Sequence, residues 1–508
     1  MYWVKNTGTN AAPAYGEAVQ IQADGKPVDV FGCPSPNFVD WDGDGDLDLV
    51  CGSFLDTITW FENTGTRTAP VYAAGRVLET ESGPLRLELE MLQVAALDWD
   101  GDGDPDLVVG KEDGRVVLVE NAGGGRAKTP VYFRQRAEYV KCGALSAPAA
   151  ADWDGDGDED ILCGNTAGFI EHIENLGGSP LRWAPPVRLA AGGETIRFQA
   201  GPNLSIQGPA EAKWGYTTLS AGDWDGDGLP DIICNSIIGR VVWFKNIGAP
   251  GRPELAPATP VRVAWEGETP KPAWFWWTPE PGELVTEWRT TPVMIDLNRD
   301  GLQDLVMLDH EGFLAFFERA RQDGNLVLLP GKRVFAADDP QKEGVFDSNG
   351  RRFRMDLDKD GVNDLLMRGP GGAALFKYND RRSDREGLRT AAQPLANPLE
   401  KGVLEPFAGP APVRMNAAWA GGSGRRKLTM GDWDGDGLPD VLVNGPCVNL
   451  LRNTGERDGM IVLRDGGPLT EDVLAGHDTC PALIDLEGDG RKGLLAGAED
   501  GFLYYYPR

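Results

Sequence analysis

One acidic segment is written into this chain again and again. Residues 40–50 read DWDGDGDLDLV, with near copies at 98–108, 152–162, 223–233 and 432–442. Degenerate copies stand at 296–306 (DLNRDGLQDLV), 356–366 (DLDKDGVNDLL) and 485–495 (DLEGDGRKGLL). Carboxylates at positions 1, 3, 5 and 9 of a tight turn, with the backbone carbonyl of position 7, can converge on one hard cation. An all-oxygen set of that size suits Ca²⁺ rather than Mg²⁺ or Zn²⁺. Glycines such as Gly43 and Gly45 allow backbone conformations that a side chain would forbid.

The expected ligands follow from that spacing. They are Asp40, Asp42, Asp44 and Asp48; Asp98, Asp100, Asp102 and Asp106; Asp152, Asp154, Asp156 and Asp160; Asp223, Asp225, Asp227 and Asp231. The later loops add Asp296, Asn298, Asp300 and Asp304; Asp356, Asp358, Asp360 and Asp364; Asp432, Asp434, Asp436 and Asp440; and Asp485, Glu487 and Asp489. Several structural Ca²⁺ ions are therefore the expected cofactor.

The elements around these loops are strands. The order of ligands matches the first half of an EF-hand loop, but an apolar strand follows at once (Leu49, Val50, Cys51) where an EF-hand places a helix. Each repeat then reads as a strand into the loop, a strand out of it, a glycine hairpin, an alternating third strand and a fourth after proline. Thr57 to Asn63 and then Pro70, Val71 and Tyr72 are one example. The loops lie 53 to 76 residues apart, a period that signals a propeller, solenoid or array. Trp41, Trp99, Trp153, Trp224 and Trp433, at loop position 2, are expected to pack between neighbouring repeats. His172 falls where Trp60 and Trp243 sit on the third strand, a packing slot.

In its DxDGDGxxD loops, their spacing and the strands around them, the chain resembles the FG-GAP/VCBS repeats of β-propellers, as in integrin α-chain heads and many secreted bacterial proteins. The resemblance covers essentially all of residues 1–508. It implies an all-β fold: a single β-propeller of four-stranded blades, eight in number with seven as the alternative, whose calcium loops join the first two strands of each blade. The last blade ends on a third strand, Phe502 to Tyr506, and residues 14–22 are expected to supply its fourth and close the ring. Tyr2 to Asn6 then remain as a surplus third strand.

Composition narrows the setting. The 78 acidic residues outnumber the 49 basic ones, for a net charge of −29. Many of the acids sit in the loops, and eight bound Ca²⁺ would bring the net charge to about −13. Nucleic acid is an unsuitable partner for so acidic a chain. No stretch is long and apolar enough to span a membrane. The chain opens inside a repeat without a signal peptide, since NTGTNAAPAY at residues 6–15 nearly copies NTGTRTAPVY at 63–72. An export signal is expected upstream, with an extracellular or periplasmic location, where calcium is abundant, and a monomeric state. Among the seven cysteines, Cys51, Cys163 and Cys234 match in position as core residues, and Cys33 and Cys480 are placed to bridge the closure.

Function is expected where the repeats differ. Long insertions at about 189–220, 265–291, 338–354 and 407–430 carry basic residues interleaved with aromatics. Lys213, Trp214, Trp276, Trp288, Arg289, Arg352, Trp419 and Arg426 are the candidate substrate-binding residues. Arginine forks match carboxylates and sulfates, and flat rings stack on sugars, so an acidic polysaccharide or other glycan is the expected partner. Cleavage of a uronate chain by β-elimination needs a cation to neutralise the carboxylate, a base and an acid. Arg351 and Arg425 are candidates for the first role, and Tyr216 and His477 for the others, which would make the protein a polysaccharide lyase. With three histidines and no Ser/His/Asp or Cys/His constellation, nucleophilic hydrolysis is unpersuasive. The alternatives are a non-catalytic protein- or glycan-binding adhesion module, and insertions that only plug a channel or cover a blade edge.

Overall fold

The computed structural model describes residues 1–133, 139–205, 208–272, 277–338, 412–416, 426–474 and 479–508. It also describes the backbone of strands Arg354–Met355, Asp364–Gly369 and Gly372–Lys377. Among these residues there is no α-helix; one short 3₁₀ turn, Gly208–Glu211, interrupts an all-β chain.

Two compact units form, Met1–Glu138 with Ala200–Trp214, and Tyr139–Gln199 with Gly215–Arg508. In the first unit, Ser35–Val39 runs into the Asp40 loop and pairs with Asp48–Gly52, which pairs in turn with Thr59–Phe61 and that with Arg76–Val77. The next repeat builds the same antiparallel order from Gln93–Leu97, Asp106–Gly110, Val116–Val119 and Val131–Tyr132. The outgoing strand Asp48–Gly52 is buried at every residue because both faces of its sheet are covered, which explains its unbroken apolar run. Trp41, Val50 and Trp60 of one sheet pack with Leu107, Val109 and Val117 of the next, so the core lies between successive sheets.

Four-stranded sheets recur in the second unit at the Asp152 and Asp223 loops, and three-stranded ones at Asp296 and Asp485. The Asp432 sheet has five strands, because Phe335–Ala337 adds in parallel to Met460–Pro468. Apolar clusters join the Asp152 and Asp223 sheets, those of Asp223 and Asp296, those of Asp296 and Asp432, and those of Asp432 and Asp485. A further cluster joins Ile484 and Leu495 of the Asp485 sheet to Ile161 and Ile173 of the Asp152 sheet. The first strands of these five repeats line one cavity of about 790 Å³.

Three local expectations change. Residues 14–22 do not complete the last sheet: Tyr15–Gln20 pairs with Tyr2–Asn6 instead. The Asn6 side chain accepts from Gly8 N–H (3.0 Å) and Ala14 N–H (3.1 Å), as Asn63 does from Gly65 (3.0 Å) and Val71 (2.9 Å). Tyr2–Asn6 and Tyr15–Gln20 are thus the third and fourth strands of one further repeat. The fourth strand of the Asp40 sheet is Arg76–Val77, while the segment after Pro70 closes the turn built on Asn63. All seven cysteines are free, with Cys33 exposed and Cys480 buried, so no bridge joins them.

The tryptophans at loop position 2 pack inward at Trp41, Trp153 and Trp224, but Trp99 is 50% exposed and rests on Phe133, with ring centroids 5.1 Å apart. Burial sets the expected costs of truncation. Trp41→Ala should lower the unfolding free energy by about 3–5 kcal/mol. Trp99→Ala should cost well under half of that, both measured by denaturant titration.

Candidate metal centres and the polar cluster opposite them

Each loop is closed by its own backbone. In the first, Gly43 and Gly45 donate their N–H groups to the two Asp40 oxygens at 2.9 and 3.0 Å, and Asp44 N–H donates to Asp42 at 3.2 Å. Gly43 has φ +81°, and a β-carbon there would touch nothing, so backbone conformation and not space requires glycine.

The aspartate at position 9 also takes backbone donors from the blade. Asp48 accepts from Trp41 N–H (3.2 Å) and from Asn63 N–H at the end of the third strand (2.6 Å). Asp106, Asp160, Asp304 and Asp440 hold the same pair of donors. Trp60, His172 and Trp243 occupy one register position, opposite Val50, Leu162 and Ile233. His172 Nε2 lies 3.2 Å from Asp160 Oδ2. Burial pushes the Asp160 carboxyl up, but His172 and the backbone donors bring it below its ordinary value.

Carboxylate oxygens converge within 4.8 Å of one another in five sets: Asp40, Asp42 and Asp44; Asp98, Asp100 and Asp106; Asp152, Asp154 and Asp156; Asp223, Asp225 and Asp227; Asp432, Asp434 and Asp440. A hard cation fits them on two grounds. The donors are all oxygen, and buried oxygens of Asp46, Asp104 and Asp158 at position 7, and of Asp225 and Asp231 in the Asp223 loop, lack any hydrogen-bond partner. Burial, then neighbouring carboxylates, push Asp158 up to about 6. Of the remaining expected ligands, Asp356, Asp358 and Asp360 lie outside the described residues, and Asp364 is described in its backbone alone.

The described insertion residues fold inward. Trp214, Tyr216, Trp288, Arg289 and Arg426 are between 1% and 6% exposed, so none stands on an open rim. Trp214, in the first unit, packs on Phe54 with ring centroids 5.4 Å apart. In the second unit the Arg289 guanidinium stacks 3.3 Å over the Tyr216 ring. Arg426 donates to the carbonyls of Met415 (3.2 Å) and Asn444 (3.3 Å).

The backbone there follows the repeat. Tyr216 (φ +45°) and Arg289 (φ +60°) stand seven residues before their loop aspartates, as do Cys33 (φ +36°), Met91 (φ +56°) and Leu145 (φ +50°). A left-handed residue at the entry to the first strand is a feature of the repeat, whatever side chain it carries. Arg351, Arg352, Arg425, His477, Trp276 and Trp419 lie outside the described residues.

Lys213 leads to a cluster that the sequence reading missed. Its ammonium lies 2.7 Å from Asp56, which also takes Arg86 at 2.9 and 3.1 Å, and it donates to the Leu87 carbonyl at 2.5 Å. Arg115 pairs with Glu88 and Asp113, both at 2.6 Å, and stands over the Tyr132 ring at 4.8 Å. The Tyr132 hydroxyl accepts from Lys111 at 3.3 Å and from Glu88 N–H at 3.4 Å.

These residues come from the hairpins after the second strands, at 53–57 and 111–115, and from the connection at 86–90. Both lie at the end of the blades away from the metal loops. Leu85, Leu87 and Leu89 are buried while Arg86 and Glu88 face outward; Glu90 breaks the alternation and is buried too. Burial, then the charge of Asp56, push Glu90 up to about 8. Burial takes Lys111 down to about 8. The alternating RLELE at 86–90 was the available signal.

Four-stranded antiparallel sheets joined by all-oxygen carboxylate loops define a protein of the β-propeller class. Residues 98–163 match the family model of the FG-GAP-like repeat, so the chain contains that repeat, and its loop-and-strand signature recurs in the sheets described above. No curated protein matches the chain significantly.

Among solved structures, an Agrocybe aegerita lectin described as recognising non-reducing terminal N-acetylglucosamine is 18% identical, over 84% of this chain and 92% of that one, with a TM-score of 0.29. AofleA from Arthrobotrys oligospora is 10% identical, over 86% and 88%, with a TM-score of 0.24. A Bacillus licheniformis rhamnogalacturonan lyase is 14% identical, over 98% and 78%, with a TM-score of 0.21. Scores of this size carry no argument, and the fold class rests on the chain's own strand pairing and repeat.

Glu90 carries a pH signature. Its folded value, about 8, stands above the ordinary 4.5. Its stabilising contribution is therefore complete below pH 4.5 and is lost as pH rises through 8. Glu90→Gln should flatten the decline in stability between those limits, as read from denaturant midpoints across pH.

Proposed function

We propose that the protein is a calcium-braced member of the β-propeller class, exported from the cytoplasm, that binds a glycan. The site is the end of the blades opposite the metal loops. The observation that carries this reading is the cluster around Tyr132. A ring 36% exposed is flanked by Arg115 and Lys111 and held by Glu88 and Asp113. Sugar recognition uses this combination of a flat ring with fixed donors and acceptors, and the guanidinium suits an acidic unit in the chain. In this reading calcium is structural, because the converging carboxylates lie at the other end of each blade.

Cleavage by β-elimination is the second reading, and one contact favours it. Lys111, brought down to about 8, reaches the Tyr132 hydroxyl. The amine is itself buried and acts through Tyr132, the ring that would face the substrate. The phenol, raised above its ordinary value by burial, is suited to give a proton to the leaving oxygen. Arg115 would face the uronate carboxylate.

Two measurements separate the parts of this proposal. Chelation should lower the melting temperature by more than about 10 °C with recovery in excess Ca²⁺, and an unchanged temperature refutes the calcium bracing. Arg115→Ala should weaken binding to uronate-containing polysaccharides about tenfold or more in calorimetric titration, and unaltered affinity removes the Tyr132 cluster as the site. Rising ultraviolet absorbance from an unsaturated uronate, lost in Lys111→Met and Tyr132→Phe, would establish the lyase.

A further inference from the structure

The acidic loops differ in a way that their shared motif conceals. At the Asp40, Asp98 and Asp152 loops, position 7 is a further aspartate: Asp46, Asp104 and Asp158. The residue before the third-strand asparagine is there Glu62, Glu120 or Glu174. At the Asp223 and Asp432 loops position 7 is Leu229 or Leu438, and the third-strand residue is Lys245 or Arg452. Two changes thus occur together, each removing negative charge from the same place.

The structure shows what the exchange does. Lys245 Nζ pairs with Asp225 Oδ2 and lies 2.7 Å from Asp227 Oδ2, so one ammonium sits between the carboxylates of positions 3 and 5. Arg452 Nε lies 3.0 Å from Asp434 Oδ2, again position 3. At the other type of loop Arg76 pairs with Glu62 (2.9 Å) and Lys128 with Glu120 (2.8 Å), and Arg67 meets the Gly45 carbonyl (3.4 Å) rather than a carboxylate.

A second cation reaches the Asp223 loop from the following repeat. The third-strand asparagine can reach the loop before it: Asn121 Nδ2 donates to Trp41 O at 2.9 Å as well as to Pro105 O of its own loop at 3.3 Å. In the Asp296 repeat that position is Arg319, which keeps the backbone bond to Asp304 (2.7 Å) and is 6% exposed. Its guanidinium lies 3.7 Å over the Trp224 ring, in the field of Asp225 and Asp231. A divalent ion entering this loop must displace the ammonium from two carboxylates and settle beside a buried guanidinium. Both requirements oppose binding.

We propose that Lys245 and Arg319 are the resident counter-ions of the Asp223 loop, which stays closed without a divalent ion, whereas the Asp40, Asp98 and Asp152 loops depend on one. The Asp432 loop, where Arg452 alone pairs with a loop carboxylate while Arg508 and Arg299 donate to the carbonyls of Asp432 and Gly437, is intermediate. This inference rests on the calcium reading above.

Native mass spectrometry and calorimetric Ca²⁺ titration of the full chain test it. Asp225→Asn should leave the number of bound ions unchanged, whereas Asp100→Asn should lower it by one. Lys245→Glu, which restores the residue type of Glu62, should raise the number by one, and adding Asp225→Asn should take that ion away. Loss of an ion in Asp225→Asn alone overturns the inference and leaves the calcium reading standing, as does an unchanged count in Lys245→Glu at millimolar Ca²⁺. A chain that binds no Ca²⁺ at all, with Asp100→Asn without effect, overturns both.

Discussion

Five repeats depend on one carboxylate bonded into the blade, that of Asp48, Asp106, Asp160, Asp304 or Asp440. The position-9 aspartate opens the second strand, takes an N–H from position 2 of the loop and takes another from the end of the third strand. Asp48 shows the consequence: burial raises it to about 6, against the pull of the Asn63 and Trp41 N–H groups. A buried carboxylate is costly to leave unmatched. Its two donors fix the loop against the sheet and set where the other acids point. Loop, hairpin and blade are therefore one structural unit, and a cation held by the loop would brace the strands beyond it.

That unit accounts for what could be read from the residues alone. The loops were legible because geometry demands glycine at Gly43 and acids at fixed offsets, and the strands because both faces of Asp48–Gly52 are covered. Pairing between distant segments was not. Tyr15–Gln20 carries the pattern of a fourth strand wherever it pairs, so the motif around Asn6 could not name its partner. The parallel addition of Phe335–Ala337 to Met460–Pro468 likewise has no local signature.

The candidate site was less legible, for a physical reason. Arginine and tryptophan in an insertion suggest a rim, yet both also pack well. Arg426 satisfies its guanidinium on the carbonyls of Met415 and Asn444, and Arg289 does so in part by stacking on Tyr216. The left-handed residue before the first strand is shared by Tyr216 and Arg289, which are buried, and by Cys33, which is exposed, so packing and not that conformation decides the direction. Conversely, the Tyr132 cluster is assembled from residues 56, 86–90, 111–115 and 213, none of them unusual alone. Only the stacking of hairpins against a strand connection brings them together.

Repetition hides variation that matters. A motif defined by its aspartates counts the Asp223 loop as a full member, since all four carboxylates are present. The change lies twenty residues downstream of Asp225 at Lys245, and in the next repeat at Arg319, where a strand register brings each back to the loop. A lysine there supplies fixed positive charge independent of the calcium around the protein. Graded reliance on calcium would then follow from which third-strand residue, glutamate or lysine, stands next to each loop. Sheets built this way would stay rigid at some loops when calcium is scarce and tighten at others when it is abundant.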